Sequence, residues 1–217
     1  MASAYPSTFE GRAHAARPGV RERAVVGPNA AIQLIDALRL ATDPQTVARI
    51  LATAGVPEWG AAPPEAMIDE RLATALHRAT RETLDPERAR AALTEAGRRT
   101  GDYILANRIP AAARRVLKAS PAWAASRLLS RAIAAHAWTF AGSGRFACSR
   151  AGGLAFEIAD NPFCAGTAAA EPICVWHAAV FERLFRALVA PGATFVETEC
   201  CARGDARCRF RLVGERR

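Results

Sequence analysis

The hydrophobic pattern of this chain changes its period near residue 139, and that change limits the possible folds more than any other feature. Before it, apolar residues recur at helical spacing, as in the stripe of Ile32, Ile35 and Leu38. After it, apolar and polar residues alternate as they do in half-buried strands, for example at Phe156 and Ile158. Helices followed by alternating strands predict an α+β domain with an antiparallel sheet.

The strand region divides into two predicted hairpins with one helix between them. Residues 139–150 and 153–162 alternate on either side of a turn that contains two glycines. Residues 193–201 and 206–214 alternate on either side of a Gly-Asp turn. The intervening stretch, 171–192, has helical spacing and ends at Pro191-Gly192, a typical helix stop.

The length of the chain, 217 residues, is enough for one domain with a full hydrophobic core. Residues 1–28 contain Pro, Gly and Arg without a hydrophobic period, and we predict a flexible tail there. We expect a single domain over residues 29–217. Its helical part, 29–138, should pack on a small antiparallel sheet within 139–217.

Hydropathy indicates where such a chain works. The longest apolar stretches, such as residues 125–138, are interrupted by arginine and are too short to cross a bilayer. The N-terminal stretch lacks the continuous apolar segment of a signal peptide. We therefore expect a cytoplasmic protein, and leave open a peripheral contact with a membrane.

The chain is strongly basic, with a net charge of +8 and a pI of about 9.9. Such a charge suits an anionic partner, whether nucleic acid, an acidic lipid surface or a carboxylated ligand. Its only lysine is Lys118, and the many arginines and alanines are typical of a GC-rich coding sequence. No basic run with interleaved aromatic residues is present, so we expect no nucleic-acid partner.

Cysteines are concentrated near the C-terminus, where residues 197–208 read ETECCARGDARC. In a cytoplasmic chain such thiols indicate metal binding or catalysis rather than disulfides. A tight turn brings Cys200 and Cys208 together, Glu197 lies on the same strand as Cys200, and Cys174 begins the preceding helix. These four residues predict a Cys₃Glu site, a donor set that zinc accepts in tetrahedral geometry.

Spacing alone leaves alternatives open at this site. Glu199 competes with Glu197, because alternation points both to one face of the strand, and Cys201 competes with Cys200. Buried cysteines without a metal are also common. With four protein ligands the zinc would be structural. The other cysteines are expected to be packed or incidental: Cys148, Cys164 and Cys201.

Three segments resemble one known family. The stretches NPFC (161–164), PICVW (172–176) and VETECCARGDARCRF (196–210) are similar to the vinyl-4-reductase domain. The resemblance implies a zinc site at the residues proposed above. It also implies the α/β sandwich, with an apolar ligand channel, that this domain shares with vesicle-tethering transport-particle subunits, and a homodimer.

The resemblance further implies a function in bacteriochlorophyll biosynthesis. Family members of that pathway are associated with the 4-vinyl (8-vinyl) reduction of divinyl protochlorophyllide-type intermediates, so a Mg-tetrapyrrole and other enzymes of the pathway are the expected partners. The chain has no GxGxxG after a strand and no group of four free cysteines for an iron–sulfur cluster, and hence no visible NAD(P) or electron-carrier site. We therefore expect a protein that binds and presents the tetrapyrrole, with the reductase itself and a small-molecule sensor or scaffold as alternatives.

Four residues are candidates for contact with a tetrapyrrole. His136 and His177 could ligate magnesium, and Trp138 and Trp176 could stack on the ring. Aromatic-sensing members of the family carry glycine after the first metal cysteine, whereas this chain has histidine and two alanines. No phenol-pocket residue of those sensors is therefore transferred to this chain.

Overall fold

The computed structural model describes residues 24–214. Helices and short strands form its first part: β1 (Val25–Val26), α1 (Asn29–Ala41), α2 (Pro44–Thr53), β2 (Ile68–Asp69), α3 (Glu70–Thr83), α4 (Pro86–Asn107), α5 (Ala111–Ala119), α6 (Ala122–Ala135) and α7 (Trp138–Ala141). The second part contains β3 (Arg145–Ser149), β4 (Ala155–Ala159), α8 (Val175–Leu188), β5 (Thr194–Glu199) and β6 (Arg207–Val213). The predicted α+β class is confirmed.

Two antiparallel sheets are formed by these strands. The larger has the order β3-β4-β6-β5, so the two predicted hairpins lie side by side through β4 and β6. Their register pairs Phe156 with Phe210 and Ile158 with Cys208. The alternation places these apolar side chains on the inner face of the sheet, toward α8.

Short acidic side chains determine where several helices begin. Asp43 accepts hydrogen bonds from the backbone N–H groups of Gln45 and Thr46 at the start of α2. Asp69 and Asp85 cap α3 and α4 in the same manner. These bonds satisfy N–H groups that have no partner within the helix.

The core lies where α8 is held between α4 and the larger sheet. Phe181 of α8 packs edge-on against Phe156 of β4, with ring centroids 4.8 Å apart. Phe156 also stacks on Phe195, and Phe185 meets Phe195 edge-on. Aromatic rings therefore fill the space between α8 and the sheet.

On its other side α8 approaches α4 closely. A Cβ added at Gly97 would lie 2.4 Å from the carbonyl oxygen of Trp176, and one at Gly101 would lie 2.7 Å from Cβ of Arg183. Glycine at these two positions lets the helix backbones come together. This contact joins the helical part of the chain to the sheet part.

The structure differs from the sequence expectations at three boundaries. The helix expected from Pro64 begins at Glu70, because Ile68–Asp69 pairs with Val25–Val26 as a short strand. Thr139–Ala141, expected to be strand, belongs to α7, and β3 starts at Arg145. The predicted tail lies mostly outside the described residues, but Val25 and Val26 form β1, and the domain boundary at Asn29 stays a prediction.

Within residues 24–214, no helix combines the length and the apolar character needed to span a bilayer.

Candidate metal centre

Four buried cysteines converge from four separate segments: Cys164, Cys174, Cys200 and Cys208. Cys164 ends the 3₁₀ turn Pro162–Cys164, and Cys174 is the residue that precedes α8. Cys200 follows β5, and Cys208 lies in β6. The cluster therefore joins the loop after β4, the start of α8 and the last hairpin.

The spacing of the four sulfur atoms suits one metal ion. Sγ of Cys164 lies 3.2 Å from Cys174, 3.8 Å from Cys200 and 3.5 Å from Cys208. All four Sγ atoms lie within 4.8 Å of one another. Sulfur atoms in a tetrahedron about 2.3 Å from a zinc ion would be about 3.8 Å apart. A four-iron cluster needs a wider cage, because iron and sulfide would separate the thiolates.

Local backbone structure presents these thiols. The side chain of Asn161 accepts a hydrogen bond from the N–H of Phe163, which turns the chain toward Cys164. Its Nδ2 donates to Sγ of Cys174 at 3.4 Å, and the N–H of Cys201 donates to Sγ of Cys208, also at 3.4 Å. Such N–H···S bonds favour thiolate over thiol.

A left-handed glycine closes the turn between Cys200 and Cys208. Gly204 has a φ of 91°, a conformation that side chains with a Cβ rarely adopt. Asp205 then accepts a hydrogen bond from the N–H of Cys200 at 2.8 Å. Together these features return the chain so that both sulfurs face the same point.

Glu197 lies beside the cluster but occupies a different position from the four sulfurs. Its Oε2 accepts a hydrogen bond from the backbone N–H of Cys174 at 2.7 Å. Its Oε1 is buried without a hydrogen-bond partner among the described residues. Burial, together with the negative charge of Cys200, raises the pKa of Glu197 to about 8. The carboxylate is thus close enough to support the cluster or to replace one of its ligands.

The electrostatics of the thiols favour shared negative charge. Hydrogen bonds from Cys164, Cys174 and Cys208 hold the pKa of Cys200 well below its usual range. Hydrogen bonds from the same group, led by Cys164, raise the pKa values of Cys174 and Cys208. A cation bound among them would remove this competition, since it stabilises every thiolate at once.

A buried guanidinium faces the cluster from α3. Nη2 of Arg81 donates to the carbonyl oxygen of Phe163 at 3.3 Å, and its Nε is buried without a hydrogen-bond partner among the described residues. Burial lowers the pKa of Arg81, and the thiolates of Cys174 and Cys164 oppose that effect. Arg81 is therefore positioned to offset the negative charge of a metal held by thiolates.

The structure brings together Cys174, Cys200 and Cys208 as predicted, and it adds Cys164. The expectation that Cys164 is incidental is wrong, as is the expectation that no four cysteines are grouped, since its Sγ is one of the four. Asn161-Pro162 before Cys164 is a turn signal that could have indicated it. The rival Cys201 instead directs its Sγ to the carbonyl oxygen of Ile158.

The other rival, Glu199, takes part in a separate ion-pair network. It contacts Arg207 and Arg209, which also pair with Glu157. A β-bulge between Glu197 and Glu199 breaks the simple alternation that would have placed both on one face. The register thus separates two glutamates that the sequence pattern left equivalent.

Comparison with known proteins gives a consistent result. The family model of the vinyl-4-reductase domain matches residues 154–213, which contain all four cysteines. The bacteriochlorophyll synthase 23 kDa chain of Cereibacter sphaeroides is 50% identical over 196 residues, which cover 90% of this chain and 93% of that protein. The protein of the same name from Rhodobacter capsulatus is 44% identical over 188 residues, covering 86% of each.

The chain belongs to the family of these 23 kDa chains. The resemblance to the vinyl-4-reductase domain is confirmed by the match to its family model. The identity to the 23 kDa chains extends through most of the helical part as well. The family is therefore defined by both parts of the fold.

The four residues expected to contact a tetrapyrrole fall into two pairs. His136 and Trp138 lie at the surface, where α6 ends and α7 begins. Trp176 and His177 are buried, with exposed fractions of 4% and 1%. Burial lowers the pKa of His177 to about 4, and its Nε2 lies 3.3 Å from the carbonyl oxygen of Phe140. The buried pair is thus part of the aromatic core.

A cleft opens beside the cysteines on the side of α3. Its volume is about 810 Å³, within the usual range for ligand sites. Arg71, Thr74 and Arg78 of α3 line it, opposite Cys164 and Cys201. The lining is largely polar, unlike the apolar channel that the resemblance implies.

Proposed function

We propose that this chain takes part in bacteriochlorophyll biosynthesis, at the 4-vinyl (8-vinyl) reduction step, by binding and presenting a divinyl protochlorophyllide-type Mg-tetrapyrrole. The observation that carries the assignment to the pathway is the 50% identity to a bacteriochlorophyll synthase chain over 93% of that protein's length. The name of that relative also supports association with other enzymes of the pathway. We place the protein in the cytoplasm, as a homodimer.

His136 is the proposed magnesium ligand. It is exposed, and its Nδ1 lies 2.9 Å from the carbonyl oxygen of Ala132, so that Nδ1–H donates there. Nε2 then carries the lone pair, which is the usual arrangement of a metal-ligating histidine. Trp138, two residues later and also exposed, offers a ring face for stacking.

The test is a mixing experiment with the purified protein. Divinyl protochlorophyllide is added anaerobically, and the pigment spectrum is recorded before and after addition of NADPH. A red-shifted, protein-bound pigment that keeps its vinyl group supports presentation of the substrate. Conversion to the ethyl product would identify the chain as the 4-vinyl reductase itself, and affinity for small aromatics without pigment binding would identify a sensor or scaffold.

Substitution separates the two surface residues. His136→Phe should abolish the spectral shift, because it removes the axial nitrogen but keeps an aromatic ring. Trp138→Phe should keep the shift and weaken binding, because a smaller ring still stacks. Equal spectra for wild type and His136→Phe would contradict the ligand assignment.

The proposed metal is a structural zinc. Cys174, Cys200 and Cys208 are common to the predicted Cys₃Glu set and to the cage seen in the structure. We place Cys164 as the fourth ligand, because its Sγ lies at tetrahedral spacing from the other three. Glu197 then anchors the N–H of Cys174.

Cobalt substitution distinguishes the two donor sets. The sulfur-to-cobalt absorption should fall by about one quarter in Cys164→Ser, and remain at the wild-type intensity in Glu197→Gln. Cys148→Ser is the matched control, since Cys148 is exposed on β3. Unchanged absorption in Cys164→Ser, together with a changed spectrum in Glu197→Gln, would favour the Cys₃Glu site.

A further inference from the structure

One continuous stretch of the chain carries the equivalent of its whole net charge. No Asp or Glu occurs between Asp102 and Glu157. The same stretch contains seven arginines and one lysine, and the net charge of the entire chain is +8. Five of these basic residues lie in α5 and α6, which pack against each other. We call these two consecutive helices the basic helix pair.

The charges of the basic helix pair are not compensated. Among residues 24–214, neither its arginines nor Lys118 take part in an ion pair, although arginines on neighbouring helices do. Arg98 of α4 and Arg183 of α8, for example, both contact Asp102. Four of the basic side chains are exposed: Arg115, Lys118, Arg127 and Arg131.

Large apolar side chains project from the same helices. Trp123 is 66% exposed and Leu128 is 47% exposed, both on α6. Arg127 lies over the ring of Trp123, with its guanidinium carbon 5.7 Å from the ring centroid. Trp123, Arg127 and Arg131 recur at intervals of four residues and therefore follow one side of the helix.

The opposite side of α6 is occupied by packing contacts. Ala125, Leu129 and Ile133 are buried, and the helix contacts β3 and α8. The exposed tryptophan and leucine therefore add nothing to the core. A partner outside the described structure would explain both the apolar exposure and the unpaired charge.

We propose that the exposed side of the basic helix pair binds the surface of a bilayer that contains anionic lipid. Lipid phosphates would pair with the free arginines and the lysine, while Trp123 and Leu128 enter the boundary between headgroups and acyl chains. The protruding shape of these apolar side chains fits a soft surface. Tryptophan and arginine, with polar tips on apolar stems, are suited to that boundary.

Binding is tested with the full chain and vesicles of defined composition. Wild-type protein should sediment with phosphatidylcholine vesicles that contain about a third phosphatidylglycerol, and the bound fraction should fall as salt is added. Vesicles of phosphatidylcholine alone should bind at least about tenfold more weakly. In a Trp138→Phe background, the emission of Trp123 should shift to shorter wavelength on binding.

Matched variants locate the contact. Arg127→Glu with Arg131→Glu should weaken binding at least about tenfold, since each basic residue near an anionic surface contributes several-fold. Arg49→Glu with Arg90→Glu makes the same change in net charge at exposed sites on α2 and α4 and should leave binding within about twofold. Trp123→Ser with Leu128→Ser should weaken binding while preserving its dependence on salt.

Three results would overturn the proposal. One is a wild-type protein that does not sediment with the anionic vesicles at low salt, which would direct attention to an acidic protein partner instead. Another is an equal loss of binding in the two charge-reversal variants. The third is unchanged emission of Trp123 in the presence of bound vesicles. Circular dichroism of each variant confirms that the helices are retained.

Discussion

Arg81 illustrates how a single buried charge can depend on a metal site. Its Nε is buried without a hydrogen-bond partner among the described residues, and a guanidinium in that position is costly unless negative charge lies nearby. Four thiolates around a divalent zinc would carry a net charge of about −2, which supplies that compensation. Arg81 and the cluster therefore stabilise each other across the contact between α3 and the loop that carries Cys164.

We expect Arg81→Met to release zinc to a chelator faster, by about tenfold or more, which is the usual cost of losing a partner next to the ligands. Release is followed with a coloured zinc indicator. Arg78→Met, on the exposed side of the same helix, is the control and should behave as wild type. A wild-type rate in folded Arg81→Met would show that the guanidinium does not serve the cluster.

His77 makes stability depend on pH. It is 2% exposed, and its Nε2 lies 3.0 Å from the carbonyl oxygen of Ala30. Burial lowers its pKa from 6.5 to about 3. Between these values the unfolded chain binds a proton that the folded chain does not. The stabilisation is therefore present above about pH 6.5 and is lost as the pH falls.

We expect the free energy of unfolding to decrease with acidity below pH 6, with His77 contributing up to about 1.4 kcal/mol per pH unit. His77→Gln keeps a donor for Ala30 and should reduce that slope by about this amount. Urea unfolding at several pH values, with zinc content measured at each, provides the comparison. Parallel pH profiles for the two proteins would contradict the assignment.

At the scale of elements, the pairing of α4 with α8 depends on glycine. Gly97 faces the carbonyl oxygen of Trp176, which is backbone and cannot move aside as a flexible side chain would. A methyl group there must push the helices apart or distort them. The contact lies immediately after Cys174, so that movement would also displace the start of α8.

Gly97→Ala should therefore destabilise the fold by about 1–3 kcal/mol, despite the better helix propensity of alanine. Thr94→Ala, at an exposed position of the same helix, should change stability by less than about 0.5 kcal/mol. Both are measured by urea unfolding. A more stable Gly97→Ala protein would mean that α4 and α8 can separate without cost.

At the scale of the whole molecule, the cysteine cluster connects parts that are distant in sequence. Cys164 and Cys208 come from segments more than forty residues apart, and α3 contacts the loop of Cys164 through Thr74, whose hydroxyl donates to the carbonyl oxygen of Pro162. A metal held there would restrain the hairpin, the start of α8 and α3 together. Its binding would contribute directly to the free energy of folding.

Removal of metal should consequently lower the melting temperature of the protein by many degrees, and added zinc should restore it. Calorimetry of chelator-treated and reconstituted samples measures the difference. Cys148→Ser should melt as wild type in both states, because Cys148 lies outside the cluster. Identical melting curves with and without metal would mean that zinc does not stabilise the fold.

Local patterns in the sequence were sufficient for the order of elements. The change from helical to alternating spacing predicts helices, a hairpin, α8 and a second hairpin, because each period depends only on neighbouring residues. The same reasoning places Cys200 and Cys208 together, since one turn joins them. It also identifies Cys174 as the residue at the start of α8.

Tertiary structure decided what depends on contacts between distant segments. The inclusion of Cys164 in the cluster, the separation of Glu197 from Glu199 by a bulge, and the approach of Arg81 follow from how α3, the loop after β4 and the last hairpin pack. Likewise, packing buries His177 and leaves His136 at the surface. Sequence periodicity describes which face of an element is apolar, but only packing determines which residues of other elements meet that face.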